Sequence, residues 1–143
     1  MNIRERLEKL GHVTRYLTEN MLQACEEFAQ EQSIWPFVDN NTDAVVEVAR
    51  QGVKTLVGIE FENSEKAQER YVRKLVKYYS DGRTPAIFYI CSSERIREAV
   101  SQAEGALVGK SSPRCFYALL SDVLRDSADC TFVDRNGARI VLR

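Results

Sequence analysis

The sequence predicts an α/β domain in which a mixed β-sheet carries helices on both faces. Two strand-helix-strand units, residues 53–93 and 86–120, imply right-handed parallel crossovers, and two hairpins, residues 43–62 and 130–142, supply antiparallel strands. The chain has 143 residues, a length at which one core buries most of the apolar surface that the unfolded chain exposes. Because no linker or internal repeat interrupts the pattern, residues 1–143 are expected to form a single domain.

The first part of the chain predicts helix. Between residues 3 and 32 the apolar side chains recur at spacings of three and four, which indicates one long helix or two short helices broken near Gly11. The segment "SIWPFVDNNTD" is expected to end this helix, because Trp35 precedes Pro36 and because Asp and Asn favour turns.

A β-hairpin follows. The Val-rich segments "DAVVEVA" and "VKTLVGIEFE" flank "RQG", in which Gly52 can adopt the positive φ of a tight turn. A two-residue loop, Gln51-Gly52, would pair Arg50 with Val53. That register fixes the facing residues at the other end of the hairpin.

Three carboxylates are expected to converge at that other end. In this register Asp43 lies opposite Glu60, and directly opposed residues share a face of the sheet. Since side chains alternate along a strand, Glu62 lies on the same side as Glu60. A shift of one residue would displace Asp43 but would leave the two glutamates together.

The next segment, residues 64–79, predicts an amphipathic helix. At 100° per residue its apolar side chains occupy one half of the helix, and its cations occupy an arc of about 100° on the other half. The cations of this arc are Lys66, Arg70, Arg73, Lys74 and Lys77. Asn63 or Ser64 is expected to cap the start of the helix.

The rest of the chain completes the sheet. "AIFYICSS" is apolar on both faces, which is typical of a central parallel strand, and a helix that ends at Gly105 follows it. "RCFYALL" predicts a strand, "SDVLRDS" a helical turn, and "CTFVDRNGARIVL" a hairpin with a type I′ turn at Asn136-Gly137.

Composition excludes several classes of protein. The single histidine, His12, and four scattered cysteines without a CxxC pair leave few members for a zinc site or a histidine-based catalytic pair. No apolar run approaches the roughly 20 residues of a membrane span, so a cytoplasmic protein with no membrane association is expected. A formal net charge of -1 means that any binding of anions depends on a local concentration of cations.

The converging acids suggest a metal site. Like charges a few ångströms apart are costly unless a positive charge lies among them, and Mg²⁺ or Mn²⁺ would supply that charge through oxygen ligands. With Asp43, Glu60 and Glu62 as ligands, Lys66 would be the residue that orients an attacking water. The simpler interpretation is a solvated strand end.

The cationic arc suggests a nucleic-acid surface. Lys66, Arg70, Arg73, Lys74 and Lys77 lie within reach of phosphates, and their binding to DNA would depend steeply on salt. A solvated outer helix face is the alternative interpretation.

The same residues resemble a known family. "TDAVVEV" followed by "GIEFENSEKAQERY" resembles the Pro-Asp-Ala and Glu-x-Glu-x-x-x-Lys-x-x-x-Arg-Tyr signatures of the plasmid replication-relaxation family, which is distantly similar to PD-(D/E)xK nucleases. "GHVTRYLTENMLQACEEFAQEQSIWPF" resembles the family's His-led helix, and the segments from "CFYALLSDVL" to "NGARIVL" resemble its closing strand and hairpin. The resemblance covers nearly the whole chain and implies a restriction-endonuclease-like core with a C-terminal hairpin.

The resemblance also implies roles for individual residues. Metal binding falls on Asp43 and Glu60, and a glutamate of the first helix often joins them; the candidates are Glu19, Glu26 and Glu27. Glu62 stands where the nucleases carry the motif lysine, so either Lys66 replaces that lysine or catalysis is lost. Thr42 stands where the motif has proline.

Three functions are therefore compared. The first is a Mg²⁺- or Mn²⁺-dependent phosphodiesterase acting on the DNA of a plasmid or other mobile element. The second is a catalytically inactive module of the same fold that binds DNA or other plasmid replication or transfer proteins. The third is a scaffold that contacts proteins alone. A homodimer is compatible with each of them.

Overall fold

The computed structural model describes residues 1–24 and 31–143, which form one curled, mixed β-sheet of seven strands with α-helices packed against it. The strands are β1 (Val13–Thr18), β2 (Ala44–Arg50), β3 (Val53–Glu62), β4 (Ile87–Cys91), β5 (Cys115–Leu119), β6 (Cys130–Val133) and β7 (Arg139–Leu142). The helices are α1 (Ile3–Glu8), α2 (Glu19–Ala24), α3 (Trp35–Asp39), α4 (Gln68–Ser80), α5 (Glu94–Val108) and α6 (Leu120–Val123), and a 3-10 turn, Gln32–Ile34, precedes α3.

The strands lie in the sheet in their chain order. β1, β2 and β3 are antiparallel, β3, β4 and β5 are parallel and joined through α4 and α5, and β5, β6 and β7 are antiparallel. The two ends of the sheet approach each other: His12 N donates to Arg143 O at 2.8 Å, and Arg143 N donates to His12 Nδ1 at 3.1 Å. The predicted α/β class with a mixed sheet is confirmed, as is the central, buried position of β4.

Helices cover both faces of the sheet. On one face α1 and α6 contribute Leu7 and Val123 to a core that includes Phe88 and Phe132, whose rings stack with centroids 4.1 Å apart. On the other face α4 and α5 pack against β4 and β5. A third cluster contains Phe37 of α3 and Val45 of β2, and it lies on the same face of the sheet as α4 and α5. The candidate site lies between the second face and α4.

The first part of the chain differs from the prediction. Residues 3–32 do not form a long helix: α1 ends at Glu8, and Val13–Thr18 forms β1, which pairs with β2. Pro36 also does not end a helix but lies in the first turn of α3, where its missing N–H costs no hydrogen bond. Residues 25–30, which include Cys25, lie outside the described residues.

The β2-β3 hairpin has the predicted register. Arg50 pairs with Val53, and both loop residues have positive φ, 51° at Gln51 and 78° at Gly52. This is the backbone twist that suits a two-residue hairpin loop.

A second glycine of this hairpin is required by packing. A Cβ at Gly58 would lie 3.0 Å from Thr42 Cγ2, 3.1 Å from Ile87 Cδ1 and 3.2 Å from Phe37 Cδ1. The absent side chain therefore allows the loop before β2 and the helix α3 to approach β3 closely.

Two local predictions need correction. Helix α4 starts at Gln68 with Ala67 as its N-cap, so neither Asn63 nor Ser64 caps it. The terminal hairpin is present, but its loop is longer than the predicted pair: Val133 pairs with Arg139, and Gly137 has a positive φ of 88° without a positive φ at Asn136. Asp134 shapes this turn, because its carboxylate accepts hydrogen bonds from the backbone N–H groups of Asn136 and Ala138.

Cys91, Cys115 and Cys130 are free, buried thiols. Within residues 1–24 and 31–143, no helix has the length and apolar character that crossing a membrane requires.

Candidate functional site

Asp43 and Glu60 face each other across the end of the hairpin. The last register pair is Ala44 with Ile59, which places Asp43, the residue before β2, beside Glu60. Asp43 Oδ2 accepts a hydrogen bond of 2.9 Å from Phe61 N, so the aspartate side chain continues the pairing where the backbone of β2 ends. The predicted juxtaposition of the two acids is confirmed.

The Glu60 carboxyl is enclosed by helix α4. Only 5% of Glu60 is exposed, and Tyr78 donates a hydrogen bond from its hydroxyl to Glu60 Oε1. The Tyr78 hydroxyl also lies 2.9 Å from Thr42 Oγ1. Asp43, Glu60, Lys74 and Tyr78 together are called the Glu60 cluster below.

Lys74 supplies the positive charge of the cluster. Its Nζ lies 3.3 Å from Glu60 Oε1 and donates to the backbone carbonyl oxygens of Asn40, at 2.5 Å, and Asn41, at 3.0 Å. Three oxygens therefore surround the ammonium group, which matches the three N–H donors of a lysine. The sequence placed Lys74 in the outer cationic arc, but in the structure it turns toward the sheet.

Burial raises the pKa of Glu60 to about 8. The nearby charge of Lys74 lowers this pKa, whereas the charge of Asp43 and a hydrogen bond with Asp43 raise it further. The neutral acid is consequently the dominant form of Glu60 at pH 7. Burial and the adjacent Glu60 also raise the pKa of Tyr78 far above its usual range, so its hydroxyl stays protonated.

Glu62 lies on the same side of β3 but has its own partner. Lys66 forms an ion pair with Glu62 and is located in the segment before α4, not on the helix. The backbone N–H of Lys66 donates a hydrogen bond to the hydroxyl of Tyr71 at 2.9 Å. Glu62 and Lys66 thus neutralise each other beside the Glu60 cluster.

The remaining three predicted cations face solvent. Arg70, Arg73 and Lys77 are exposed on α4, and none of them forms a salt bridge with any residue in the described parts of the chain. We call these three residues the basic face of α4.

Glu19, one of the three glutamates considered for the first helix, does not complete the cluster. Glu19 begins α2, is exposed, and accepts a hydrogen bond from Gln23 at 3.4 Å. Glu26 and Glu27 lie outside the described residues.

The donor set of the Glu60 cluster does not fit a divalent cation in this arrangement. Among the described residues, no three Asp, Glu, His or Cys side chains are grouped as a metal site requires. Mg²⁺ can be held by one or two carboxylates, but these must be ionised and must keep room for water. Glu60 is nearly inaccessible, and its Oε1 atom already contacts Lys74 and Tyr78, so little room remains for an ion and its waters.

Sequence reasoning missed Tyr78 and the inward position of Lys74. The available signal was their spacing: residues four apart on a helix are neighbours on one face, so an inward Tyr78 brings Lys74 toward the same strand.

No protein-family model, curated protein or solved structure matches the chain.

Proposed function

We propose that this protein is a catalytically inactive, DNA-binding module that serves the replication or transfer of a plasmid or other mobile element. The fold proposed for it is a restriction-endonuclease-like core that ends in a C-terminal hairpin. Its partners would be DNA and other plasmid replication or transfer proteins. The observation that carries the proposal is the contact between Lys74 and Glu60, by which the chain places its own ammonium group beside the two acids.

The absence of catalysis follows from that contact. In the nucleases that the sequence resembles, the aspartate at a strand start and the acid of the next strand bind the metal. Here Glu60, one of the corresponding pair, is closed off by α4, and Glu62 stands at the position of the motif lysine. An ammonium group cannot lower the pKa of a bound water as a metal ion does.

DNA binding is assigned to the basic face of α4. Arg70, Arg73 and Lys77 lie at helical spacings of three and four, so they share one face and extend about 10 Å along the axis. Since their charges are not neutralised by salt bridges within the described residues, they are available to phosphates. Arginine also binds phosphate through two parallel hydrogen bonds.

A salt titration of DNA binding tests this assignment. Three phosphate contacts predict that log K falls against log salt concentration with a slope of about -2.7 on duplex DNA. The double variant Arg70→Gln, Arg73→Gln keeps one contact, so its slope should fall to about -0.9. The matched control is Arg4→Gln, Arg135→Gln, which removes two exposed arginines elsewhere on the molecule. Equal slopes for the wild type and the α4 variant would overturn the assignment and favour a scaffold that contacts proteins.

A second candidate function is the Mg²⁺- or Mn²⁺-dependent phosphodiesterase. It is favoured by one observation, the placement of Asp43 beside Glu60 on neighbouring strands. Cleavage of plasmid DNA in Mn²⁺ that disappears in Asp43→Asn, with DNA binding retained, would establish this function in place of the inactive module. The variant is essential because it separates the protein's own activity from a contaminating nuclease.

A further inference from the structure

The sheet opens between β5 and β6. Among the described residues, the two strands share the single register pair Tyr117 with Val133. Beyond this pair β5 runs into α6, and a cavity of about 310 Å³ lies between the strands. This cavity is called the β5-β6 cleft below, and α5 separates it from the basic face of α4.

Arginines from three separate elements line the cleft. They are Arg97 of α5, Arg125 after α6, and Arg139 of β7. Arg139 forms no salt bridge within the parts of the chain that the structure describes. It therefore provides a guanidinium group whose charge is not neutralised by any described residue.

The acids near the cleft are matched by exposed ion pairs. Asp122, which lines the cleft, pairs with Arg125 at 2.8 Å, and Glu94 pairs with Arg97 at 2.5 Å. Asp129, the other acid of the lining, lies 3.3 Å from Arg143. Exposed pairs of this kind contribute at most about 1 kcal/mol, so Arg97 and Arg125 can exchange their carboxylate partners for a phosphate at little cost.

A buried arginine fixes the wall of the cleft. Arg6 is 3% exposed, and its guanidinium donates to four backbone carbonyl oxygens. One belongs to the last residue of α6, and the other three belong to the segment between α6 and β6. The acceptors are Val123 O at 3.1 Å, Arg125 O at 2.9 Å, Ser127 O at 2.8 Å and Asp129 O at 3.3 Å. The backbone that carries Arg125 is thus held in place before any ligand binds, which reduces the entropic cost of binding.

We infer that the β5-β6 cleft binds a small ligand that carries a phosphate monoester. Guanidinium groups from three elements of the fold match the several oxygens of a phosphate, and each can form two parallel hydrogen bonds. The volume of the cleft lies at the lower end of small-molecule sites. Ala118 and Leu119 of β5 provide an apolar wall for the part of the ligand attached to the phosphate.

Calorimetric titration of the full chain with three probes tests the inference. The probes are adenosine 5′-monophosphate, inorganic phosphate and adenosine. Saturable binding of the monophosphate is expected, with adenosine not bound. Arg139→Gln should weaken binding of the monophosphate by about tenfold or more, the loss expected for one charge-assisted contact. The matched control, Arg95→Gln, removes an exposed arginine of α5 that does not line the cleft and should leave the affinity unchanged.

The titration with inorganic phosphate shows which part of the ligand the cleft recognises. Binding of phosphate that is also weakened in Arg139→Gln supports the inference and shows that the phosphate group alone is recognised. Should Arg139→Gln lose its fold, as judged by circular dichroism, Arg125→Gln replaces it with the same expected loss. Adenosine bound as tightly as the monophosphate, no binding of the monophosphate, or equal affinity in the wild type and the arginine variants would each overturn the inference.

Discussion

Lys74 Nζ lies 3.3 Å from Glu60 Oε1, and this contact links the outer helix α4 to the central strand β3. The sequence suggested that acids gathered at this end of the sheet would need a cation. The fold meets that need with a lysine that is anchored to two backbone carbonyls. The attachment of α4 to the sheet and the charge beside Glu60 therefore depend on one side chain.

The pH dependence of stability should report the Glu60 cluster. The folded-state pKa of Glu60, about 8, lies above the value of about 4.3 in an unfolded chain, so the folded state retains a proton that the unfolded state releases. This contribution to stability is complete below pH 4.3 and is lost as the pH rises to about 8. We expect the unfolding free energy of the wild type minus that of Glu60→Gln to fall by about 1.4 kcal/mol per pH unit within this window. Urea unfolding of both proteins at a series of pH values measures the difference, and a flat difference would show that Glu60 titrates normally.

Gly58 should be intolerant of a side chain. Alanine at this position would place its Cβ about 3 Å from Thr42, Ile87 and Phe37, and such overpacking costs about 1–3 kcal/mol. The comparison is Gly82→Ala, where a Cβ meets no atom within 4 Å among the described residues. Thermal unfolding should show a clear loss for Gly58→Ala and no loss for Gly82→Ala; equal stabilities would mean that α3 can move away from β3 without cost.

The parts of the fold that were predictable from sequence are those set by local chemistry. The Gln51-Gly52 loop needs positive φ at both residues, and this requirement fixed the register that brings Asp43 to Glu60. The strand β1 was missed because Tyr16 and Leu17 continue a helical spacing, whereas its pairing with β2 is a tertiary contact. The β-branched residues of "VTRYLT" were a signal that could have revealed it.

Only the acids of the candidate site were predictable from the sequence, and the position of Lys74 was not. Alternation along β3 gave the shared side of Glu60 and Glu62, because that rule depends on the strand alone. The angular position of Lys74 on α4 does not reveal which backbone carbonyls lie within its reach. Asn40 and Asn41 come from a distant part of the chain, and only the packing of α3 against β3 brings their carbonyls to the lysine.

Arg6 should contribute more to stability than any exposed arginine. Its buried guanidinium donates to four backbone carbonyls, and lysine lacks both the planar fork and the number of donors to replace it. We expect Arg6→Lys to lower the unfolding free energy by about 2–4 kcal/mol, since charge-assisted hydrogen bonds contribute about 1.5–3 kcal/mol each and do not add fully. Arg4→Lys, at an exposed position of the same helix, should change it by less than about 0.5 kcal/mol. Chemical denaturation of the two variants makes the comparison, and similar losses would contradict a structural role of the Arg6 contacts.

Removal of Lys74 should create a site for a divalent cation. In Lys74→Met, Asp43 and Glu60 remain adjacent but lose their positive neighbour. A hard cation with oxygen ligands can then take the place of the ammonium group, and its binding displaces the proton of Glu60. We expect Mn²⁺ titration, followed by calorimetry, to show saturable binding for Lys74→Met and none for the wild type or for Lys77→Met, which removes an exposed lysine of the same helix. The double variant Lys74→Met, Glu60→Gln should lose the binding again, because the amide is a weaker ligand than the carboxylate. Mn²⁺ binding by the wild type that is lost in Glu60→Gln would instead show that the cation displaces Lys74, and would favour the phosphodiesterase over the inactive module.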